Sequence, residues 1–384
     1  MTSSGRIIAL LATANFAAAT AGMIVAGILQ LIATDLQWST ADAGRLITLY
    51  ALGFAIGAPL LGAAFGTWCR KKTVMLGLSL VAIGSLGSAL ATQAIWLEAA
   101  RVLVAAGSAM SIPSVSAIVA FLFPQERPRA LALVLMGMTL AIVLGVPAGT
   151  LLASLYGWHA PLYGAAILAA VIALGVKVFL PGGIVVPPVP LRAWLSLLAT
   201  ARIYPLLALP IVSVAATFCI YGYIAPFTKA MLGINAQGLS WLLLWFGVVS
   251  LFASLSLGRI SKSIDAKRIL PMTIVGFVLC FFLLDMTAQR LWLAIVLFAS
   301  WAVCNSFFGT LQQAQIVESV PSAASALLAL NTSATFVGQA LGTTIGGIVI
   351  QTSGVRELPL AGFALALGAL VVYALSRKFR PSTA

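Results

Sequence analysis

Gly145-Val-Pro-Ala-Gly149 is answered 197 residues later by Gly342-Thr-Thr-Ile-Gly346. Pro124 and Pro321 share that offset, as do Gly157 and Gly354. Gly62 is followed nine residues on by Lys71 and Lys72, and Gly258 nine residues on by Lys267 and Arg268, an offset of 196. A chain of 384 residues whose landmarks recur at half its length reads as two copies of one half. In a chain this apolar, repeated halves imply a membrane transporter, because such machines move one half against the other around a central site.

Hydrophobic residues make up 62% of the chain and charged residues 8%, against about a quarter charged in soluble globular chains. The net charge of +13 invites a nucleic-acid reading. That reading fails because the basic residues sit in short clusters between long apolar runs, as in the cytoplasmic loops of membrane proteins. Cys69, Cys219, Cys280 and Cys304 lie far apart in sequence with no CxxC spacing, which argues against disulfides and a zinc site. The start of the chain, Arg6 before an apolar run with Ala17-Ala18-Ala19, has some signal-peptide character, but the run continues to Ala33 and reads as an uncleaved first span.

A spanning helix needs about 20 mostly apolar residues. The sequence holds twelve such runs: 7–33, 43–66, 73–92, 95–122, 130–155, 160–180, 204–230, 237–257, 269–287, 291–316, 324–351 and 358–376. The expected fold is an all-α polytopic membrane protein, with twelve transmembrane helices in two pseudo-symmetric six-helix bundles, 1–180 and 204–384. The linker 181–203 opens with Pro181-Gly-Gly and Val186-Pro-Pro-Val-Pro190, which no helix tolerates. Its second part, Leu191 to Arg202, suits either a short helix on the membrane face or a plain tether. With the first end inside, sixteen Lys and Arg residues fall on the cytoplasmic side. Five fall on the other: Arg45, Arg101, Lys229, Arg290 and Arg356. That asymmetry predicts both termini inside.

Twelve helices in two sixes with a cytoplasmic linker resemble the major facilitator superfamily. Asp42 to Pro59 resembles helix 2 of its bacterial drug:proton antiporter-1 group of drug and sugar exporters. Gly145-Val-Pro-Ala-Gly-Thr150 with Gly157-Trp158 resembles that group's helix 5 motif and the loop after it. Leu330-Asn-Thr-Ser333, Gly338-Gln-Ala-Leu-Gly342 and Gly346-Gly347 resemble helix 11. The resemblance covers nearly the whole chain and is silent on substrate.

Gly137, Gly145 and Gly149 with Pro147, and Gly338, Gly342 and Gly346, repeat small residues at intervals that let another backbone approach. They read either as a sliding seam between the halves, which the family implies seals the transporter and favours export, or as ordinary helix packing. In the loop motif, Gly62, Arg70 and Lys71 match the family, whereas Gly66 stands in the acid's place, Thr67 in that of a basic residue and Cys69 in that of a glycine. The latch attributed to that acid is therefore weakened, or Glu126 and Glu318 take its part. The basic cluster also sets orientation. Arg101 matches the arginine of the helix 4 motif, with Ala105 in place of its usual glycine, and the family implies a part in proton transfer or substrate contact. An equal alternative is a structural pair with Glu98, three residues earlier on the same helix.

All eight acidic residues fall in loops or near helix ends. Proton-coupled exporters often bury a carboxylate whose pKa desolvation raises, and several relatives carry one in helix 1. Here the stretch Thr20 to Gly27 has none. Proton coupling is therefore implied by the resemblance alone, with Asp42, Glu98, Arg101, Asp285 and Glu318 as the candidates. His159 reads as an interfacial polar residue more readily than as a pH switch.

Superfamily geometry puts a central cavity among helices 1, 4, 7 and 10. The candidate substrate residues are Asn15, Tyr50, Arg101, Thr139, Tyr221, Tyr223, Trp245, Asn305, Gln312, Asn331 and Gln339. Some of these must instead bond helix to helix, because buried polar groups need partners. One arginine and no acid suit a neutral or weakly anionic amphiphile.

The expected activity is export of a small drug-like or sugar-like compound by alternating access, coupled to protons. An importer or facilitator of a sugar or nucleoside, and a non-transporting membrane sensor, stay open. No metal-ligand spacing, no Ser-His-Asp set and no phosphate-binding loop point to catalysis. The partners expected are substrate, protons and the bilayer of a bacterial inner membrane, around a monomer, with no nucleic acid, metal or cofactor.

Overall fold

Inside a bilayer no water is available for backbone N–H and C=O groups, so apolar runs close their hydrogen bonds internally as helices. The structure, a computed structural model, describes residues 3–186, 199–200, 203–263, 266–287, 290–319 and 324–378. Among these the chain is helical with short connections and no strand. The helices are α1 (Ser3–Asp35), α2 (Thr40–Ala64), α3 (Arg70–Leu90) and α4 (Ala94–Leu122). α5 has two parts, α5a (Arg127–Leu140) and α5b (Val146–Tyr156), and α6 is His159–Phe179. α7 is also divided, into α7a (Tyr204–Tyr221) and α7b (Ile224–Leu232). There follow α8 (Ala236–Ser263), α9 (Ala266–Leu284), α10 (Leu291–Ser319), α11 (Ala324–Thr352) and α12 (Leu358–Lys378). Eleven stretches are long and apolar enough to cross a membrane, and α9 contributes a shorter apolar stretch, Arg268–Leu284. Of the candidate interfacial helix between Leu191 and Arg202, all but 199–200 lies outside the described residues, as do Asp265 and Pro321.

Two helices depart from the uninterrupted runs expected of them. α5 widens into a π-turn at Ala141–Gly145. The cause lies just beyond it: Pro147 has no N–H to give to the Val143 carbonyl, and its ring crowds that group. A wider turn relieves the crowding without ending the helix. The run 204–230 is broken at Gly222-Tyr223, where Tyr223 leaves helical geometry at φ −117° and ψ 29°. The break is pinned by the Tyr223 hydroxyl, which donates to the Thr343 carbonyl at 2.9 Å. A side chain at Gly222 would come within 2.8 Å of the Phe218 carbonyl and 3.1 Å of Thr343 Oγ1, so only glycine lets the chain turn this close to α11.

The chain divides into two compact units. One is built on α1–α6 and takes in Ala236–Leu244 at the start of α8; the other is built on α7 and the chain from Trp245 onward. In the first, the Ser240 hydroxyl donates to the Pro147 carbonyl at 2.7 Å. The core of that unit gathers Leu11, Val74, Leu78, Val115, Ile118 and Val134 from α1, α3, α4 and α5a. A smaller cluster of the second unit joins Ile203 and Leu207 to Ile316, Leu327 and Ala334.

The sequence repeat survives as a repeated helix contact. In the first unit a Cβ at Gly137 would strike the Ala12 carbonyl, one at Gly145 would strike the Thr20 side chain, and one at Gly149 would strike Ile24. In the second, Gly338 meets the Ile211 carbonyl, Gly342 the Ala215 carbonyl, and Gly346 the Cys219 carbonyl at 2.6 Å. α5 therefore lies on α1 as α11 lies on α7. These close approaches fall inside each bundle, where they bring two backbones of the same half together, as the packing alternative has it. Gly62 has nothing within 4 Å of where its Cβ would be, so it takes no part in such packing.

Candidate functional site

An arginine in an apolar helix is expensive unless its five N–H groups find partners. Arg101, on the inner-facing stripe of α4, is 1% exposed. Its two terminal nitrogens donate to the carbonyls of Ala21 and Gly22 on α1, each at 2.8 Å. The guanidinium carbon lies 5.1 Å from the centre of the Tyr50 ring of α2, in cation–π contact. Nε of Arg101 is buried without a partner. One cation thus ties three helices together.

Gly22 makes this possible. Its missing side chain leaves the space that the Tyr50 ring fills, and a Cβ there would overlap the ring and its hydroxyl. The space beside Gly22 is filled by a phenol from α2 and faced by a guanidinium from α4. Ala105, standing where the resembled motif has glycine, is accommodated from the other side: a Cβ on Gly53 of α2 would lie 2.9 Å from that of Ala105. The alternative Glu98–Arg101 pair does not form. Glu98 is half-buried one turn away, and the ion pair present among the described residues joins Arg45 to Asp42 at 2.9 Å. Ser39 caps α2 by accepting from the Asp42 N–H at 3.1 Å and donates its hydroxyl to the Asp42 carboxylate, which thus serves the helix end at the surface. Asp285 and Glu318 are exposed at helix ends, as is Glu126 before α5a.

The other expected substrate residues fall into two groups. Some are consumed as ties between helices: Asn15 Nδ2 donates to the Val134 carbonyl at 3.2 Å, Gln312 Nε2 to Leu206 at 3.3 Å, and Trp245 Nε1 to Ile295 at 3.2 Å. Tyr223 holds the α7 break, and Tyr221 packs into an aromatic core of edge-on and tilted rings around the fully buried Trp301, which also takes in Phe246, Phe281 and Phe298. Others keep polar atoms unspent. Asn331 Oδ1 and Gln339 Nε2 on α11 are buried with no partner, and so is the Ser213 hydroxyl on α7a, the helix that α11 packs against. In the first unit Asn15 Oδ1 and the Thr20 hydroxyl on α1 are in the same condition. Thr139 and Asn305 are half-buried. Buried polar atoms without partners are uncommon in native proteins, and within each unit they mark groups that a polar solute could satisfy.

Sequence reasoning missed three features. The basic loop binds the chain rather than an acid: Arg70 donates to the Val186 carbonyl at 3.0 Å, its backbone N–H to Ile184 at 2.7 Å, and Lys71 to the Leu180 carbonyl. Arg70 and Lys71 therefore hold the segment that follows α6. Trp158 Nε1 donates to Asp35 at 2.9 Å, joining the end of α1 to the start of α6. The Gly22–Tyr50 exchange of space is the third, and only the coincidence of a glycine and a large aromatic at unknown distance could have signalled it.

Helices of this length and hydropathy, repeated in two units, the first with a buried cation and each with unspent polar atoms, define a polytopic membrane protein of the transporter kind. The model of the Major Facilitator Superfamily matches residues 11–227 and 206–384, and the chain belongs to that superfamily. It is 30% identical to the chloramphenicol resistance protein of Streptomyces lividans over 95% of this chain and 94% of that one. To the inner membrane transport protein YdhP of Escherichia coli K12 it is 25% identical, over 93% of this chain and 92% of that one. Among solved structures, a bacterial homolog of the human lysosomal transporter Spinster superposes with a TM-score of 0.77 at 18% identity, over the whole of both chains. The nucleoside transporter NupG superposes at 0.76 with 14% identity, covering 98% of this chain and 100% of that one. Both share the fold.

Proposed function

We propose that this protein exports a small organic compound across a bacterial inner membrane by alternating access, in exchange for protons, with both termini in the cytoplasm. The observation that carries the reading is the full-length similarity to a chloramphenicol resistance protein, since resistance to a drug with an intracellular target is a natural consequence of export. The excess of Lys and Arg on the loops assigned to the inside supports the orientation. The buried Arg101, with no carboxylate beside it, supports a substrate that is neutral or carries partial negative charge. A lipophilic cation would meet repulsion and no counter-charge.

A second reading, passage of a neutral solute without protons, is favoured by one observation. Among the described residues every acid lies at a helix end or in a connection, none in the middle of a span. Cells expressing the chain separate the two. Export predicts that accumulation of chloramphenicol, or of another member of a panel of antibiotics and sugars, falls below that of control cells and recovers when the proton gradient is collapsed. Unchanged accumulation on collapse removes proton coupling, and raised accumulation reverses the direction.

A further inference from the structure

Two of the four cysteines, 24 residues apart in sequence, are neighbours in space. Cys280 is on α9 and Cys304 on α10, and the Cys304 sulfur lies against Gly276, one helical turn before Cys280. Both are free in the structure, Cys280 buried and Cys304 half-buried. The register that brings them together is held on both sides. Phe277 of α9 packs edge-on against Phe308 of α10 with ring centres 5.9 Å apart, and Phe281 packs against Trp301 at 5.3 Å. In this antiparallel pair the cysteines fall between the two aromatic contacts. Gly276, one turn before Cys280 on the same face, makes room for the second sulfur. A Cβ there would overlap Cys304 Sγ and stand 3.7 Å from Cys304 Cβ.

We propose that Cys280 and Cys304 are an oxidation site, closed into an intramolecular disulfide between α9 and α10 by a membrane-soluble two-electron oxidant of the quinone class. Both thiols lie roughly 20 Å along their helices by the rise of 1.5 Å per residue. At that depth in an apolar bundle a hydrocarbon-soluble oxidant has access and a charged, water-borne one does not. The step balances. The two S–H bonds break, one S–S bond forms, and the two electrons and two protons pass to the quinone, which leaves as the hydroquinone. Bonding sets the sulfurs about 2 Å apart, tying the two helices together beside Asn305. Ser306, the next residue, already donates to the Ser250 carbonyl of α8 at 3.0 Å. The cross-link therefore stiffens α10 where a half-buried polar side chain sits.

The test uses the purified full chain in lipid nanodiscs, treated with a tetramethyl-substituted benzoquinone, whose blocked ring carbons prevent direct addition of thiols. Intact mass is expected to fall by about 2 Da, with two of the four thiols lost to alkylation after denaturation. Peptide mapping is expected to join the Cys280 and Cys304 peptides, and a dithiol reductant to restore both. Gly276→Ala, which pushes the Cys304 sulfur off α9, is expected to slow closure at least tenfold, and Cys304→Ser to abolish it. Four alkylatable thiols after oxidation of the parent protein would overturn the proposal, as would a disulfide that maps to other cysteines or persists in Cys304→Ser. The peptide map of the parent protein decides the matter even where a variant folds poorly, and none of these readouts needs a known substrate.

Discussion

Gly22→Ala is the smallest change that challenges the Arg101 site. The added methyl would overlap the Tyr50 ring, with Cε1 at 2.8 Å and the nearer ring atoms closer still. The ring is fully buried and already in contact with the Arg101 guanidinium, so it has little room to retreat. Forcing a methyl into a packed core costs about 1–3 kcal/mol. Here the strain also falls on two charge-assisted hydrogen bonds, because the Gly22 carbonyl accepts one of them and the Ala21 carbonyl the other. At about 2–4 °C per kcal/mol for a unit of this size, the melting temperature of the purified protein is expected to drop by roughly 2–12 °C. The assay is a double-mutant cycle. In a Tyr50→Leu background the space opposite Gly22 is open, so the same alanine is expected to cost less than about 0.5 kcal/mol, giving a coupling of at least about 0.5 kcal/mol. Additive effects of the two changes would refute the claim that the glycine exists to seat the tyrosine.

Gly342→Val and Gly62→Ala are expected to act in opposite directions. At Gly342 the branched side chain meets the Ala215 backbone, with its Cα at 2.8 Å, and a loss of about 1–3 kcal/mol should appear in thermal unfolding. At Gly62 nothing lies within 4 Å, so alanine should be neutral or gain up to about 1 kcal/mol from helix preference. Trp158→Phe removes the donor to Asp35 at an exposed helix end and should cost about 1 kcal/mol, visible as faster proteolysis near the connection between α5b and α6. Cys69, just before α3, supplies the pH test. Burial opposes ionisation of its thiol, but the backbone amides of Lys71, Lys72, Gly183 and Ile184 outweigh it and hold the thiol below its ordinary range. The thiolate therefore persists to lower pH than in the unfolded chain. Alkylation of Cys69, followed by peptide mapping, should reach half its maximal rate below the about 8.5 of a free cysteine, and a midpoint above that value would contradict the geometry.

The fold was legible because lipid leaves so few choices. Twelve apolar runs must be helices, and the offset between Gly145-Val-Pro-Ala-Gly149 and Gly342-Thr-Thr-Ile-Gly346 already announced that two helices pack on their partners in the same way. What the sequence could not give was the partner. The glycines read equally well against the other half or against their own, and only coordinates show α5 on α1 and α11 on α7. The break in α7 hid for a similar reason: Gly222-Tyr223 is unremarkable until Thr343 of α11 is found beneath it. At the site, Arg101 stood out because a charge in an apolar run is costly wherever it lies. The nearest acid in sequence, Glu98, was a tempting partner, but the cation turned to carbonyls and an aromatic face on other helices, which no local spacing encodes. Polar residues such as Asn15 and Gln312 belonged on any cavity list by composition, and their use as ties between helices depends on contacts more than a hundred residues away.

The central claim is export driven by protons, and proteoliposomes test it most directly. The purified chain is reconstituted with a pH-sensitive dye inside, and a panel of small organic antibiotics and sugars is added one at a time under an imposed pH gradient. The account expects at least one neutral or weakly anionic compound to move against its own gradient while protons flow the other way, with both fluxes lost when an ionophore collapses the pH difference. Transport of that compound that runs only down its own gradient, unaffected by the ionophore and without proton movement, would contradict it.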